Sequence, residues 1–264
     1  MVKAFDFKYK FKKVVANNFN LSSEETDRFE EDYGLFKELT KQLLAFLPPL
    51  SGMPILDVGC GTGISTKVIS DSFKDTAGVC GIDISTRMLE KAKEKCPSAY
   101  FLLGDAEFLS HFFKGPFGAL YYTASIFLLP NVEKSLIEAS RIMFDGGIIA
   151  GSYLETIEDR EGENLIAFAR TFYPDLGIRQ CRLFSFYDLT KFFQGHFRDV
   201  IQEDLRFSMK REEIEAFFLI PAQSASLFPG LPLERRQTGV QRLFETLGRD
   251  QYVLLWKLIG GKKL

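Results

Sequence analysis

The chain has 264 residues, 46% of them hydrophobic, which is typical of one globular α/β domain with or without a cap. Its formal net charge of −2 gives no general attraction to nucleic acid or to an anionic membrane surface. The four cysteines show no CxxC spacing, so we expect neither a zinc site nor a disulfide framework.

The amino-terminal segment predicts an arm followed by one helix. Aromatic side chains alternate with charged ones over residues 5–11, and this period of two predicts a short strand or an extended arm. Ser22 and Glu25 then have the spacing of a capping box, which predicts the start of a helix. The apolar stripe of that helix continues to Leu47, and two prolines end it.

From Ile55 onward, strand and helix patterns alternate. Strands are predicted in "ILDVGC", "AGVCGIDIS", "SAYFLLGDA", "FGALYYTASIFLL" and "GGIIAGSY", and helices over residues 64–72, 86–95 and 132–143. Repeated alternation of this kind predicts a parallel sheet with helices on both faces. The strands are nearly continuous apolar runs, as expected for a sheet that is covered on both sides.

The last third of the chain is less regular. We predict helices in "SFYDLTKFFQGHF", "REEIEAFFLI" and "LERRQTGVQRLFETLG", strands in "DVIQEDLRF" and "QYVLLWKLIGG", and a loop in "PAQSASLFPGLP". Residues 1–49 and 209–248 lie outside the alternating pattern. We therefore expect a single domain with residues 1–49 as a cap and residues 209–248 as a helical insertion before the last strand.

A glycine-rich loop follows the first predicted strand. Gly59, Gly61 and Gly63 allow a tight turn and a close approach to a ligand. The dinucleotide fingerprint GxGxxG fits only in part, because Ile64 stands where its third glycine would be. Asp57, just before the turn, would repel a pyrophosphate and attract an ammonium group. The loop therefore favours a ligand that is positively charged at this point.

Two further aspartates end the next two strands. Asp83 ends the second strand, where an acid can accept both hydroxyls of a ribose. Asp105 ends the third, where it can accept a hydrogen bond from an exocyclic adenine amine. Ile84 and Met88 offer apolar surface for an adenine ring. Three acids at successive strand ends predict a nucleoside site at one edge of the sheet.

Four motifs together resemble those of the class I S-adenosylmethionine-dependent methyltransferases. They are "ILDVGCGTG", "GIDISTRML", "GDAE" and "FDGG", and the resemblance covers residues 50–153 and part of the last strand. It implies a Rossmann-like three-layer sandwich with a mostly parallel seven-stranded sheet, one antiparallel strand and a helical cap. It also implies S-adenosylmethionine as the cofactor and S-adenosylhomocysteine as the product.

The resemblance also implies roles for single residues. Asp57 would lie near the amino group of the methionine part, and Thr123 beside the methyl group. Tyr33, on the amino-terminal helix, would close over the methionine end. The predicted cofactor-binding residues are Tyr33, Asp57, Gly59, Cys60, Gly61, Gly63, Asp83, Ile84, Met88, Gly104, Asp105, Ala106 and Thr123.

The segment after the fourth strand departs from one pattern of the family. Relatives that methylate nucleobases or amines often carry Asn/Asp-Pro-Pro-aromatic there, whereas this chain has "YYTASIFLLP". The resemblance is therefore to the small-molecule branch, and nucleic acid is not expected as a partner. Tyr122, Tyr153 and Glu155 are candidates for orienting or deprotonating the acceptor, and none is assigned as the catalytic residue.

The extra regions leave the acceptor open. The aromatic and aliphatic residues of "EAFFLIPAQSASLFPGL", together with Phe172 and Tyr173, form either an apolar pocket for a small acceptor or a core extension or dimer contact. Arg235 and Arg236 are expected at the surface, with an acidic group of the acceptor as the alternative partner.

Two rival functions remain beside a cytoplasmic small-molecule methyltransferase. One is a non-catalytic S-adenosylmethionine-binding regulator or scaffold, which would keep the loop and the three acids. The other is a nicotinamide oxidoreductase, which Asp57 and Ile64 disfavour. The chain has no apolar run long enough to span a bilayer and no apolar signal-peptide core.

Overall fold

The computed structural model describes residues 2–172 and 183–264. Its strands form one sheet in the order β3-β2-β1-β4-β5-β7-β6, in which β7 runs antiparallel to both of its neighbours. The strands are β1 Ile55–Val58, β2 Val79–Asp83, β3 Tyr100–Leu103, β4 Phe117–Tyr122, β5 Met143–Asp159, β6 Phe197–Lys210 and β7 Gln251–Lys263. This sheet confirms the predicted Rossmann-like class with one antiparallel strand.

Helices cover both faces of the sheet. They are α1 Val2–Asn20, α2 Ser23–Tyr33, α3 Leu35–Phe46, α4 Ile64–Ser72, α5 Thr86–Lys95, α6 Leu109–Phe112, α7 Val132–Ile142, α8 Leu165–Phe172, α9 Phe186–His196, α10 Arg211–Leu219, α11 Pro221–Leu227 and α12 Leu233–Leu247. The central strands β1 and β4 are buried along their whole length, which explains their continuous apolar sequences. Among the described residues, no helix is both long and apolar enough to cross a bilayer.

The predicted amino-terminal arm is wrong, because residues 2–20 form the helix α1. The alternating pattern also fits a helical face: Phe7, Phe11, Val14 and Asn18 follow one another at intervals of three or four and line the same cavity. Period two and period 3.6 cannot be separated over so short a segment, so the contacts of the segment decide between them.

The helix predicted from Ser22 to Leu47 is two helices, α2 and α3, that meet at Gly34 with a φ of 66°. The predicted capping box is also wrong. The hydroxyl of Ser22 donates to the Asn18 carbonyl at 2.7 Å and accepts from the backbone N–H of Ala222 at 2.8 Å. A contact 200 residues away in sequence therefore takes the oxygen that would have capped the helix.

Between β6 and β7 stand the helices α10, α11 and α12. The predicted loop "PAQSASLFPGLP" contains α11, which begins with Pro221 in its first turn, where a missing N–H costs nothing. Phe217, Phe218 and Phe228 are at most 1% exposed and belong to the hydrophobic core. The core extension, and not the pocket, is therefore the correct interpretation of these aromatic residues.

Candidate functional site

The glycine loop connects β1 to α4 in a conformation that requires glycine. Gly59, Gly61 and Gly63 have φ values of 73°, 53° and 82°. A Cβ on Gly59 would lie 2.5 Å from the side chain of Ser125, and one on Gly63 would lie 2.9 Å from the Cα of Ala92. A Cβ on Gly61 would meet no atom within 4 Å. The loop is thus packed on two sides and open at Gly61.

Asp57 lies one side chain behind the wall of the adjoining cavity. Its Oδ2 accepts hydrogen bonds from Ser65 Oγ at 2.6 Å and Thr66 Oγ1 at 2.7 Å. Its Oδ1 is buried and has no hydrogen-bond partner among the described residues. Burial raises the pKa of Asp57 to about 6, against the opposing effect of the two hydroxyl donors. Ser65 lines the cavity and Asp57 does not.

Asp83 joins the glycine loop to the start of α5. Its Oδ2 accepts from the N–H of Gly61 at 2.9 Å, and its Oδ1 accepts from the N–H of Ser85 at 2.8 Å. Burial raises the pKa of this carboxyl, and the backbone donors oppose that rise. The backbone N–H of Ile84 is a third donor to this carboxylate, so about one of its roughly four acceptor positions remains.

Asp105 is held by the amino-terminal helix. Lys12 Nζ lies 2.7 Å from Asp105 Oδ2 and 2.6 Å from Glu107 Oε2. Asn20, at the end of the same helix, accepts from Ser85 Oγ at 2.8 Å. The sequence pattern allows the lysines of residues 5–12 an acidic partner but favours a solvated face, since nothing in an alternating aromatic and charged segment separates Lys12 from its neighbours. These contacts place α1 across the ends of β2 and β3.

A cavity of about 1250 Å³ opens between the carboxyl edge of the sheet, α1 and the helices before β7. Five of the predicted cofactor residues line it: Gly59, Cys60, Gly61, Met88 and Thr123. The lining does not include seven others: Asp57, Gly63, Asp83, Ile84, Gly104, Asp105 and Ala106. Tyr33 lies at the end of α2, is 37% exposed and borders a second, smaller pocket.

Thr123 and Met88 form different parts of the cavity wall. Thr123 is 7% exposed, and its Oγ1 has no hydrogen-bond partner among the described residues. A buried hydroxyl of this kind requires a partner, which a ligand can supply. Met88 is buried and contributes apolar surface at the first turn of α5.

Two of the three catalytic candidates line the cavity, and the third does not. Tyr122 is fully buried away from the cavity, where its hydroxyl bonds with Ser135 Oγ at 2.9 Å and burial raises its pKa. Tyr153 lines the cavity, and its hydroxyl donates to the Phe184 carbonyl at 2.9 Å. Glu155 lines the cavity from a bulge in β5, where the pairing with β7 skips one residue.

A buried arginine on α12 also lines the cavity. Arg236 is 5% exposed, and its Nη1 donates to Asn18 Oδ1 at 3.1 Å and to the Pro221 carbonyl at 2.9 Å. Its neighbour Arg235 is exposed. The expectation that both lie at the surface is therefore wrong for Arg236. The sequence feature that indicates its burial is its position on the helix, because Arg236 shares a face with the buried Val240 and Leu243. Phe172 and Tyr173 lie outside the residues whose side chains are described.

Comparisons with known proteins identify one segment of the chain. Residues 56–151 match the family described as "Methyltransferase domain". The trans-aconitate 2-methyltransferase of Deinococcus radiodurans is 30% identical over 152 residues, which cover 56% of this chain and 57% of that protein. The malonyl-[acyl-carrier protein] O-methyltransferase of Pectobacterium atrosepticum is 30% identical over 139 residues, covering 53% and 52%. The chain thus spans about half the length of the curated relatives it matches.

Solved structures share the fold. A phosphoethanolamine N-methyltransferase 2 of Haemonchus contortus, in complex with phosphomonomethylethanolamine and S-adenosylhomocysteine, superposes with a TM-score of 0.55. The two chains are 18% identical, and the superposition covers 85% of this chain and 52% of that one. At this identity the likeness concerns the architecture alone.

Proposed function

We infer that this chain, which contains a class I S-adenosylmethionine-dependent methyltransferase domain, transfers a methyl group from S-adenosylmethionine to a small-molecule acceptor. The observation that carries the inference is the glycine loop, which is open at Gly61 onto the cavity and is held from below by Asp83. The family match covers this loop and the acids that follow it.

The residues present fit the cofactor. Gly61 leaves the space of a side chain free at the cavity wall, and the buried hydroxyl of Thr123 offers an unused hydrogen-bonding group. Asp83 retains about one acceptor position, which a ribose hydroxyl can fill. Met88 supplies apolar surface beside them. The position of adenine beside Asp105 stays a prediction. In the structure, the carboxylate of Asp105 forms an ion pair with Lys12.

S-adenosylmethionine, when bound, supplies a methyl group already activated by its attachment to a positively charged sulfur. The protein therefore has to bind, orient and exclude water. Holding two reactants in line is worth up to about 7–11 kcal/mol. The cavity walls suit this task, because Phe11, Phe127 and Leu231 present apolar surface.

The cavity has room for an acceptor beside the cofactor. Pockets for small ligands have volumes of about 300–1,000 Å³, and this cavity measures about 1250 Å³. The hydroxyl of Tyr153 donates its proton to the backbone carbonyl of Phe184, and this hydrogen bond fixes the orientation of the side chain. Glu155, directed inward by the bulge of β5, is the candidate to accept a proton where an acceptor must lose one.

Parallel calorimetric titrations with S-adenosylhomocysteine and NAD test the cofactor. We expect the first to bind and the second not to, because Asp57 lies close behind the loop that would receive a pyrophosphate. Binding of NAD alone would contradict the proposal. Incubation with methyl-labelled S-adenosylmethionine and a panel of small acceptors then tests transfer. Binding of S-adenosylhomocysteine without transfer to any acceptor would favour a non-catalytic binding protein.

A further inference from the structure

The arginine in the cavity wall has no acidic partner among the described residues. Both of its hydrogen bonds leave from Nη1 and go to neutral groups, the side-chain amide of Asn18 and the carbonyl of Pro221. Burial lowers the pKa of Arg236, which indicates that its positive charge is poorly compensated. A buried charge without a counterion is unfavourable, so this site lacks an anionic partner within the described part of the chain.

The unused edge of the guanidinium determines what would complete it. Nε is buried and has no hydrogen-bond partner among the described residues, and none of the bonds described for Arg236 uses Nη2. Nε and Nη2 lie on the same edge of the guanidinium. Two parallel N–H groups on one edge match the two oxygens of a carboxylate once the side chain turns to bring the buried Nε to the cavity surface. The edge therefore favours a flat anion over a neutral ligand.

We propose that Arg236 binds a carboxylate of the acceptor, so that the acceptor is an organic acid with an apolar body. The proposal rests on the proposed function, since it assigns an acceptor to the same cavity. The apolar body follows from neighbouring wall residues such as Phe7, Phe11 and Val14. Glu155 and Glu158 also line the cavity, from β5. Their charges disfavour an acceptor with anionic groups at both ends.

The methionine part of the cofactor is a second source of a carboxylate. Arg236 stands on the insertion before β7, outside the matched residues 56–151, and the insertion is where acceptor recognition is expected. We therefore assign Arg236 to the acceptor. The two sources give different results, because only one of them changes the affinity for S-adenosylhomocysteine.

The test compares acids with their amides. Octanoate, phenylacetate and cinnamate, each paired with its primary amide, are titrated into protein saturated with S-adenosylhomocysteine. The variants are Arg236→Gln, Arg236→Lys and, as a matched control, the exposed Arg235→Gln. We expect the wild type and Arg235→Gln to prefer acids over amides at least tenfold. Arg236→Gln should abolish this preference while leaving the affinity for S-adenosylhomocysteine unchanged.

Three outcomes would overturn the assignment. Equal affinity of the wild type for acids and amides, or no affinity for either, removes the acid acceptor. If Arg236→Gln loses affinity for S-adenosylhomocysteine but keeps its preference for acids, Arg236 binds the carboxylate of the cofactor and not that of the acceptor. A structural role alone would weaken acids and amides equally. If Arg236→Gln does not fold, Arg236→Lys keeps the charge and loses the paired donors, and its acid preference should fall. Failure of the wild type to bind S-adenosylhomocysteine would refute the proposed function instead.

Discussion

Replacing Asp57 by Asn should change how stability depends on pH. The carboxyl of Asp57 is fully buried, with one oxygen bonded to two hydroxyls and the other without a described partner. Burial raises its pKa from 3.8 to about 6. The folded protein therefore holds this proton to a higher pH than the unfolded chain does. The stability from this group is complete below pH 3.8 and is lost as the pH rises through about 6.

The magnitude follows from the two pKa values. At about 1.36 kcal/mol for each pKa unit, the rise from 3.8 to about 6 lowers the unfolding free energy by about 3 kcal/mol at alkaline pH. About half of that loss has occurred by pH 5, because the unfolded carboxyl is already ionised there. The remaining loss, between pH 5 and pH 8, is about half of the total. Asp57→Asn lacks this titration, so its unfolding free energy should gain roughly 1 to 2 kcal/mol relative to the wild type over that interval.

Urea unfolding of both proteins at pH 5, 6, 7 and 8 measures this difference. Glu245→Gln, which removes an exposed carboxylate, controls for the loss of one negative charge. A difference between wild type and Asp57→Asn that is independent of pH would refute the argument. Saturating S-adenosylhomocysteine extends the test to function. If its ammonium group lies near Asp57, the transition should move below pH 6, whereas an unchanged midpoint would place that group elsewhere.

Three further outcomes are expected. Asp83→Asn should weaken binding of S-adenosylhomocysteine by about 1.5–3 kcal/mol, the scale of a lost charged hydrogen bond, and unchanged affinity by calorimetry would show that the ribose lies elsewhere. Lys12→Gln should speed hydrogen exchange in α1 selectively, because its ion pairs with Asp105 and Glu107 are lost, and unchanged protection would mean that other contacts hold the helix. Gly63→Ala should lower the unfolding free energy by more than Gly61→Ala. Both require a left-handed backbone at about 1–3 kcal/mol, but only the first adds a contact of 2.9 Å with Ala92, and equal losses in urea would contradict this.

The alternating middle of the chain could be predicted because its signals are local. The helix predicted over residues 64–72 is α4 to the residue, and that over residues 86–95 is α5. Glycine spacing, apolar runs and helix caps depend on residues within about one turn or one strand. They can therefore be recognised without knowing which other elements pack against the segment. The resemblance to a methyltransferase domain depended on the same local motifs and is confirmed by the match to residues 56–151.

The amino-terminal segment could not be predicted for a different reason. Its residues fit both a strand and a helix, and the contacts of Lys12 and Asn20 with the ends of distant strands favour the helix. The Ser22 hydroxyl likewise bonds to Ala222 and not to its own helix. These interactions join residues 65–200 positions apart, beyond any sequence window.

The sequence by itself determined the sheet, the glycine loop and the acids at three strand ends. Only the tertiary structure decided which side chains meet the cavity. In the structure, Asp57 lies behind Ser65 and Tyr122 lies in the core. Arg236 is buried, whereas its neighbour Arg235 is exposed. The physical reason is that a strand end is set by neighbouring residues, whereas a cavity wall is formed where separate elements pack. Its members are chosen by the relative placement of those elements.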